Sequence, residues 1–375
     1  MHIYHAAAIP RLKGRGTMGR ASAFKSLRKV GVLVFALVAV AVLATPPAAA
    51  VGSNRYTMTP LVSNNDVPGT THDVNLTNAW GLVAGPATPW WVSDNGADVS
   101  TLYNATGVKR NLNVTVAGAP TGIVFNGNAG SFPVGPSGAS ALFIFATEGG
   151  TIAGWHPSVG TTAQVQVDSS GAGAIYKGLA IATTDSGPML FATDFANAHV
   201  DVINATWAVQ ASGGFVDPTL PSGYAPFGIQ TIGSRVFVTY AKQSGGADEL
   251  HGQSLGFVDA YDTGGNFLVR VAQRGQLNAP WGLAMAPANF GSFGGDLLVG
   301  NFGDGHINAY AEQPDGTFAL VGALKGVDGR KLAIDGLWAL EFGHGTVNNG
   351  PTDTLFFTAG PNDEADGLFG AIRAG

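Results

Sequence analysis

Short apolar runs, rich in β-branched and aromatic side chains and bounded by Gly, Pro, Asn and Asp, recur along the chain from about residue 55. They include Trp90-Trp91-Val92, Leu142-Phe143-Ile144-Phe145, Met189-Leu190-Phe191, Val236-Phe237-Val238, Leu297-Leu298-Val299 and Leu355-Phe356-Phe357. Runs this short with such boundaries predict strands. A further set alternates apolar and polar positions, as in His199-Val200-Asp201-Val202-Ile203 and Gly305-His306-Ile307-Asn308-Ala309-Tyr310. Beyond the first 50 residues, helical periodicity is negligible.

Ahead of each apolar run stands a unit centred on Gly-Leu or Gly-Ile. The units are Trp80-Gly81-Leu82, Thr121-Gly122-Ile123, Lys177-Gly178-Leu179, Phe227-Gly228-Ile229, Trp281-Gly282-Leu283 and Asp335-Gly336-Leu337. Their glycines are 41, 56, 50, 54 and 54 residues apart, close to the roughly 40–50 residues of a propeller blade with loop insertions. Three or four strands per unit make a blade, and radial repetition shields the sheet edges. The expected fold is all-β, a single six-bladed β-propeller over residues 51–375. The last unit ends one strand short, and Arg55-Tyr56-Thr57-Met58-Thr59-Pro60-Leu61-Val62 has no partner near it in sequence. That N-terminal strand is expected to join the last blade and close the ring.

Composition narrows the chemistry. The 375 residues contain 55 glycines, 12% charged residues and no cysteine, which excludes coiled coils, disulfide scaffolds, iron–sulfur clusters and cysteine nucleophiles. Residues 1–29 carry seven Lys/Arg and no acid, followed by an apolar stretch from Val30 to Ala44 and then Ala48-Ala49-Ala50. This is the layout of a signal peptide over residues 1–50, with a true start at either Met1 or Met18. Its removal leaves 12 bases (19 less 7) against 25 acids, a net charge of −13. A secreted or periplasmic monomer with no membrane span is expected. So acidic a chain is a poor partner for nucleic acid, because nothing neutralises phosphate.

The repeat units are similar to NHL-type repeats, in which Pro-x-Gly-Ile precedes an apolar strand ending in Ala-Asp. Asn78-Ala79-Trp80-Gly81-Leu82, Ser93-Asp94-Asn95-Gly96, Tyr176-Lys177-Gly178-Leu179-Ala180 and Thr358-Ala359-Gly360-Pro361-Asn362-Asp363-Glu364 resemble an uncharacterised family of secreted bacterial β-propellers. The resemblance runs from about residue 55 to the end. Some members of that family carry an exosortase sorting signal; this chain stops at Gly375 without an apolar tail. The resemblance implies a fold and an exported compartment, but no reaction.

In a propeller, the loop leading into each innermost strand and the loop after each second strand open on one face. Trp80, Lys177 and Trp281 lead into innermost strands, while Asp94, Asn95, Glu148, Asp194, Asn301 and Asn362 follow second strands. Glu148, Asp194, Asn301 and Asn362 are the expected oxygen donors to calcium or another divalent cation. Lys177, Trp80, Trp281, Asp94 and Asn95 are expected ligand contacts. The competing reading is that Asp and Asn there only make turns, and that the tryptophans pack between blades. Two acidic loops, Lys242–Gln253 and Gly360–Gly367, are expected on the same face as lids or ligand arms. The histidines lack short-spaced partners for a zinc site, and there is no Gly-x-Ser-x-Gly elbow.

Two function classes follow. One is a secreted binding or scaffold module for an extracellular protein, glycan or small molecule. The other is a metal-dependent hydrolase or lactonase, since gluconolactonase-like propellers hold a divalent cation at this mouth to polarise a lactone carbonyl.

Overall fold

The computed structural model describes residues 53–211 and 213–375, and the expected signal peptide lies outside them. Each repeat unit forms an antiparallel sheet. Blade 1 comprises Ala79–Val83, Trp90–Asp94, Val99–Tyr103 and Lys109–Thr115. Blade 2 comprises Pro120–Phe125, Phe143–Thr147, Thr151–Trp155 and Gln164–Asp168. Blade 3 has three strands, Tyr176–Thr184, Gly187–Asp194 and His199–Asn204. Blade 4 runs through Tyr224–Ile232, Arg235–Lys242, Phe257–Asp262 and Phe267–Gln273. Blade 5 runs through Pro280–Met285, Leu297–Asn301, Ile307–Glu312 and Phe318–Ala323. Blade 6 is built from Leu337–Phe342, Thr354–Ala359 and Leu368–Ala374. Its outer strand is Tyr56–Ser63, which pairs antiparallel with Leu368–Ala374.

Every innermost strand packs against the next, and the sixth packs against the first. The molecule is therefore a closed six-bladed propeller. Among the described residues the helices are four one-turn 3-10 segments, and none is long and apolar enough to cross a membrane.

The repeat glycines explain how the ring closes so tightly. A Cβ on Gly81 would lie 2.2 Å from the Thr121 carbonyl oxygen of the next blade. On Gly228 it would lie 2.2 Å from Trp281 O, and on Gly282 2.5 Å from Trp338 O. These distances are far inside van der Waals contact, so each glycine lets one inner strand approach its neighbour closely around the axis.

The sixth unit corrects the sequence reading. Its inner strand carries Trp338-Ala339-Leu340 where the other five have x-Gly-Leu or x-Gly-Ile. Gly336 instead lies two residues before Trp338 with φ +63°. Asn78, Ala119 and Ala279 hold that same place before their inner strands, with φ +45°, +58° and +44°. Gly336 is thus the left-handed corner into the strand, and the residue that opens the strand toward the mouth is Trp338, not Asp335.

The apolar core lies between blades. Trp91 stacks on Phe143 at 3.9 Å and meets Trp155 at 4.8 Å, joining blades 1 and 2. Trp90 packs against Phe356 and Phe369 to join blades 1 and 6. These two tryptophans glue blades together.

Candidate functional site: the acidic mouth

At the mouth, the axis is plugged by an aromatic floor. Trp80 and Trp338 stack with ring centroids 3.7 Å apart, and Phe302 stacks on the other face of the assembly at 3.9 Å from Trp338. Trp281 meets Trp338 edge-on at 5.9 Å, and Phe227 closes the cluster. Trp80 and Trp338 are fully buried, so both form the floor itself.

Lys177 crosses this floor. Its Nζ lies 5.0 Å above the Trp80 ring and 2.6 Å from Glu148 Oε1. Trp281 Nε1 donates to the Lys177 carbonyl at 3.0 Å, fixing the backbone that carries the ammonium. The lysine side chain is 3% exposed and the glutamate 28%. Burial alone would pull the Lys177 pKa down. The charges of Glu148, Glu249 and Asp248 outweigh it and hold the ammonium above its ordinary value.

Starting at Lys177 of blade 3 and passing through Glu148, a chain of hydrogen bonds runs across four blades. Asn95 Nδ2 donates to Glu148 Oε2 at 2.9 Å, and Asn78 Nδ2 donates to Asn95 Oδ1 at 3.2 Å and to Glu364 Oε2 at 2.6 Å. Trp338 Nε1 donates to Asn78 Oδ1 at 2.9 Å. Both acidic loops reach this network, as expected. The loop of blade 6 supplies Glu364. The loop of blade 4 is anchored by Gln243 Nε2 donating to Phe195 O at 2.7 Å, and it supplies Glu249 and His251. The His251 ring meets Phe302 edge-on at 4.9 Å and lies 3.6 Å from Glu249. Burial, then the charge of Glu249, raises the pKa of Glu364, with Lys177 offsetting part of the rise. The Glu249 carboxylate raises that of His251 against the effect of burial, and Glu364 and Asp363 add to the rise.

The remaining expected site residues lie apart from this network. Asp194 is buried and accepts from Ile175 N at 3.2 Å, Asn197 N at 3.1 Å and Asn197 Nδ2 at 2.8 Å. Asn301 donates to Gln276 O and Asp304, with its Oδ1 buried and unpartnered. Asn362 sits on an exposed corner at φ +59°, its N–H donating to Asp335. Of the four expected cation donors, Glu148 alone joins the Lys177 network. Asp94 is completely buried with both carboxylate oxygens unpartnered, whereas Asn95 is within the network.

Among the described residues, three metal-ligating side chains come together in blade 3. Asp194, His199 and Asp201 bring ligand atoms within 4.8 Å of one another. Two carboxylates and an imidazole suit a borderline metal better than calcium, which prefers an all-oxygen shell. His199 Nε2 is 3.0 Å from Asp201 Oδ1, and Tyr176 OH donates to Asp201 Oδ2 at 2.5 Å, so hydrogen bonds already hold this group together.

No known family profile matches the chain. It is 31% identical over 329 residues to uncharacterized protein R648 of Acanthamoeba polyphaga mimivirus, covering 83% of this chain and 78% of that protein. It is 30% identical over 328 residues to uncharacterized protein L690 of the same virus, covering 83% and 84%. The chain belongs to this family. Both relatives are viral, so the bacterial source implied by the resemblance to secreted propellers has no support in them. Among solved structures, a protein of unknown function from Bacteroides thetaiotaomicron superposes with a TM-score of 0.54 at 10% identity, over 85% of this chain and 76% of that one. Virginiamycin B lyase from Staphylococcus aureus superposes with a TM-score of 0.48 at 14% identity, over 85% and 99%. Likeness at such identity carries the fold alone.

Asn78 is a mouth residue that sequence reasoning missed. The alanine in the sixth repeat unit hid only the place of Trp338 as the residue that opens its inner strand. The signal for Asn78 was available: an Asn directly before an inner strand is the residue type best suited to the left-handed corner there.

Proposed function

We propose that the chain is a binding propeller whose recognition surface is the acidic mouth, and that its partner presents positive charge there. The observation that carries this reading is the gathering of Glu148, Glu249 and Glu364 around a single buried lysine. Asp248 and Asp363 extend the same field, acting on Lys177 and His251. A ring of one sign over low-dielectric walls concentrates oppositely charged ligands and speeds their capture. The groups a mouth-centred hydrolase would use are committed elsewhere: Glu148 to Lys177 and Asn95, Asn78 to Trp338 and Glu364. The basic, apolar leader supports an exported location, where the partner is an extracellular protein, glycan or small molecule.

A second reading, a metal-dependent hydrolase, is favoured by the Asp194, His199 and Asp201 group. Metal analysis of the purified protein followed by a panel of lactones and esters separates the two. The binding reading expects no turnover above background with calcium, manganese or zinc. Turnover that vanishes in Asp194→Asn or Glu148→Gln would replace it with the hydrolase.

A further inference from the structure

Of the 12 bases (19 less 7) in residues 51–375, four stand together where blade 5 leads into blade 6: Arg55, Lys325, Arg330 and Lys331. Residues 325–331 fold into a short hairpin. Its two lysines face each other across an antiparallel bridge, and Gly326 N donates to Arg330 O at 2.8 Å. Gly329, at φ +84°, closes the turn by donating to Gly326 O at 2.9 Å. The strand that closes the ring holds this hairpin in place. Tyr56 N donates to Lys325 O at 2.8 Å, and Lys325 N donates to Asn54 Oδ1 at 3.1 Å. The Arg55 guanidinium abuts Gly329, where a Cβ would lie 3.2 Å from it.

All four bases are exposed, and none forms an ion pair among the described residues. Asp328 is the one acid of the hairpin, so the patch sets four positive charges against one negative. It does so in a chain whose residues 51–375 sum to −13. Val327, beside the tip, is 70% exposed. The acidic arm of blade 4 is built in the same way with the opposite sign. Gln243 and Glu249 face each other across an antiparallel bridge of the same six-residue separation. Asp248 and Glu249 supply its charge, and Leu250 beside them is 42% exposed. Asp363 and Glu364 of blade 6 act on the same His251 as Glu249, so the two arms form one acidic surface.

We propose that the positively charged partner of the mouth is a second copy of this chain, which presents its 325–331 hairpin to the acidic arms of the first. This rests on the reading of the mouth as a surface for positive charge, and it names the partner. Charge complementarity selects the pairing. Each surface also sets one exposed apolar side chain, Val327 or Leu250, among its charges, so docking removes both from water. The two surfaces differ, which makes the contact heterologous and lets it repeat from copy to copy. At physiological ionic strength the Debye length is about 8 Å. The net negative charges of two copies therefore repel weakly, while opposite charges in contact still attract. A contact confined to such arms belongs to the small, reversible class.

Analytical ultracentrifugation of the purified chain at physiological salt tests this. The weight-average mass of the wild type is expected to rise with concentration, exceeding the monomer's by about half or more at about 0.5 mM. In about 1 M salt, where the Debye length is about 3 Å, it should return to the monomer's. Asp248→Lys/Asp363→Lys reverses the acidic surface, and Lys325→Glu/Arg330→Glu reverses the basic one. All four positions are exposed, and thermal unfolding confirms that each variant is folded. Each variant alone is expected to stay monomeric. An equimolar mixture is expected to give a 1:1 heterodimer and nothing larger, because one variant keeps its hairpin and the other its mouth. A monomeric wild type at that concentration, association that survives in either variant, or a mixture that stays monomeric would each overturn the proposal. Oligolysine bound at the mouth of a wild type that stays monomeric would remove this partner and leave the charge reading of the mouth standing.

Discussion

Lys177 Nζ and Glu148 Oε1, from blades 3 and 2, meet at 2.6 Å over the Trp80 ring. This pair ties the charged rim of the mouth to its aromatic floor. Removing one member of a buried pair leaves an uncompensated charge, which costs about 3–5 kcal/mol in a fully buried setting. Glu148 is more than a quarter exposed, and the charge of Glu249 remains nearby. Glu148→Gln is therefore expected to destabilise by less, about 2 kcal/mol, measured by denaturant unfolding. The double variant Glu148→Gln/Lys177→Met should recover much of that loss, and a double variant no more stable than the single one would contradict the pairing.

Ring closure rests on Tyr56. Its side chain is 1% exposed, packs on Phe290 at 4.9 Å and donates to the Phe290 carbonyl at 3.2 Å. Tyr56→Ala is expected to cost about 3–5 kcal/mol, as for other large aromatic truncations in cores. Deleting residues 51–63 should lower the melting temperature further, because it unpairs the whole outer edge of Leu368–Ala374. An unchanged melting temperature after that deletion would show that the strand does not close the ring.

The repeat glycines differ in what they tolerate. Gly228→Ala would place a methyl group 2.2 Å from Trp281 O, so strain should lower stability by about 1–3 kcal/mol or more, as overpacking does. Ala339→Gly, at the matching place of blade 6, should cost only about 0.5–1 kcal/mol through backbone entropy. Thermal unfolding of the two variants side by side checks the ranking, and equal losses would mean that the inter-blade approach is not what selects glycine.

Asp94 is expected to give the protein a distinctive pH dependence. Burial pushes its carboxyl well above the ordinary range, with Thr101 offsetting part of the rise and the charge of Asp73 adding to it. The folded chain then keeps a proton that the unfolded chain loses near pH 3.9. This group's contribution is fully present below that pH and is lost as pH rises toward the folded-state value. Asp94→Asn is expected to stabilise the protein at pH 7 by about 1–3 kcal/mol, the range for an unsatisfied buried group, and to give no gain at pH 3.5. Chemical denaturation at both pH values measures it, and a loss at pH 7 would mean that the carboxylate has a partner there.

Much of this architecture was legible in the residues. The period of the Gly-Leu and Gly-Ile units fixed the blade number, and the orphan segment at Tyr56 fixed the closure, because both are local patterns with one geometric outcome. The sixth unit was misread by three residues: an alanine replaced its glycine, while a nearby corner supplied a decoy at Gly336. Lys177, Glu148, Asn95, Trp80 and Trp281 could be gathered from position alone, since blade topology brings equivalent loops to one face. That Asp194 and Asn301 would turn aside to Asn197 and to Gln276 could not be read, because those bonds depend on side-chain direction within each loop.

The proposed charge selectivity of the mouth is tested most directly by binding of an oligolysine peptide, followed by calorimetry at low and at physiological salt. The wild type is expected to bind, with affinity falling as salt screens the exposed charges. Glu249→Lys/Glu364→Lys is expected to lose at least tenfold in affinity at low salt. Acidification should weaken the wild type early, because Glu364 takes up its proton at a higher pH than an ordinary glutamate. Equal affinity in the wild type and the double charge-reversal variant would contradict the assignment of the mouth as the recognition surface.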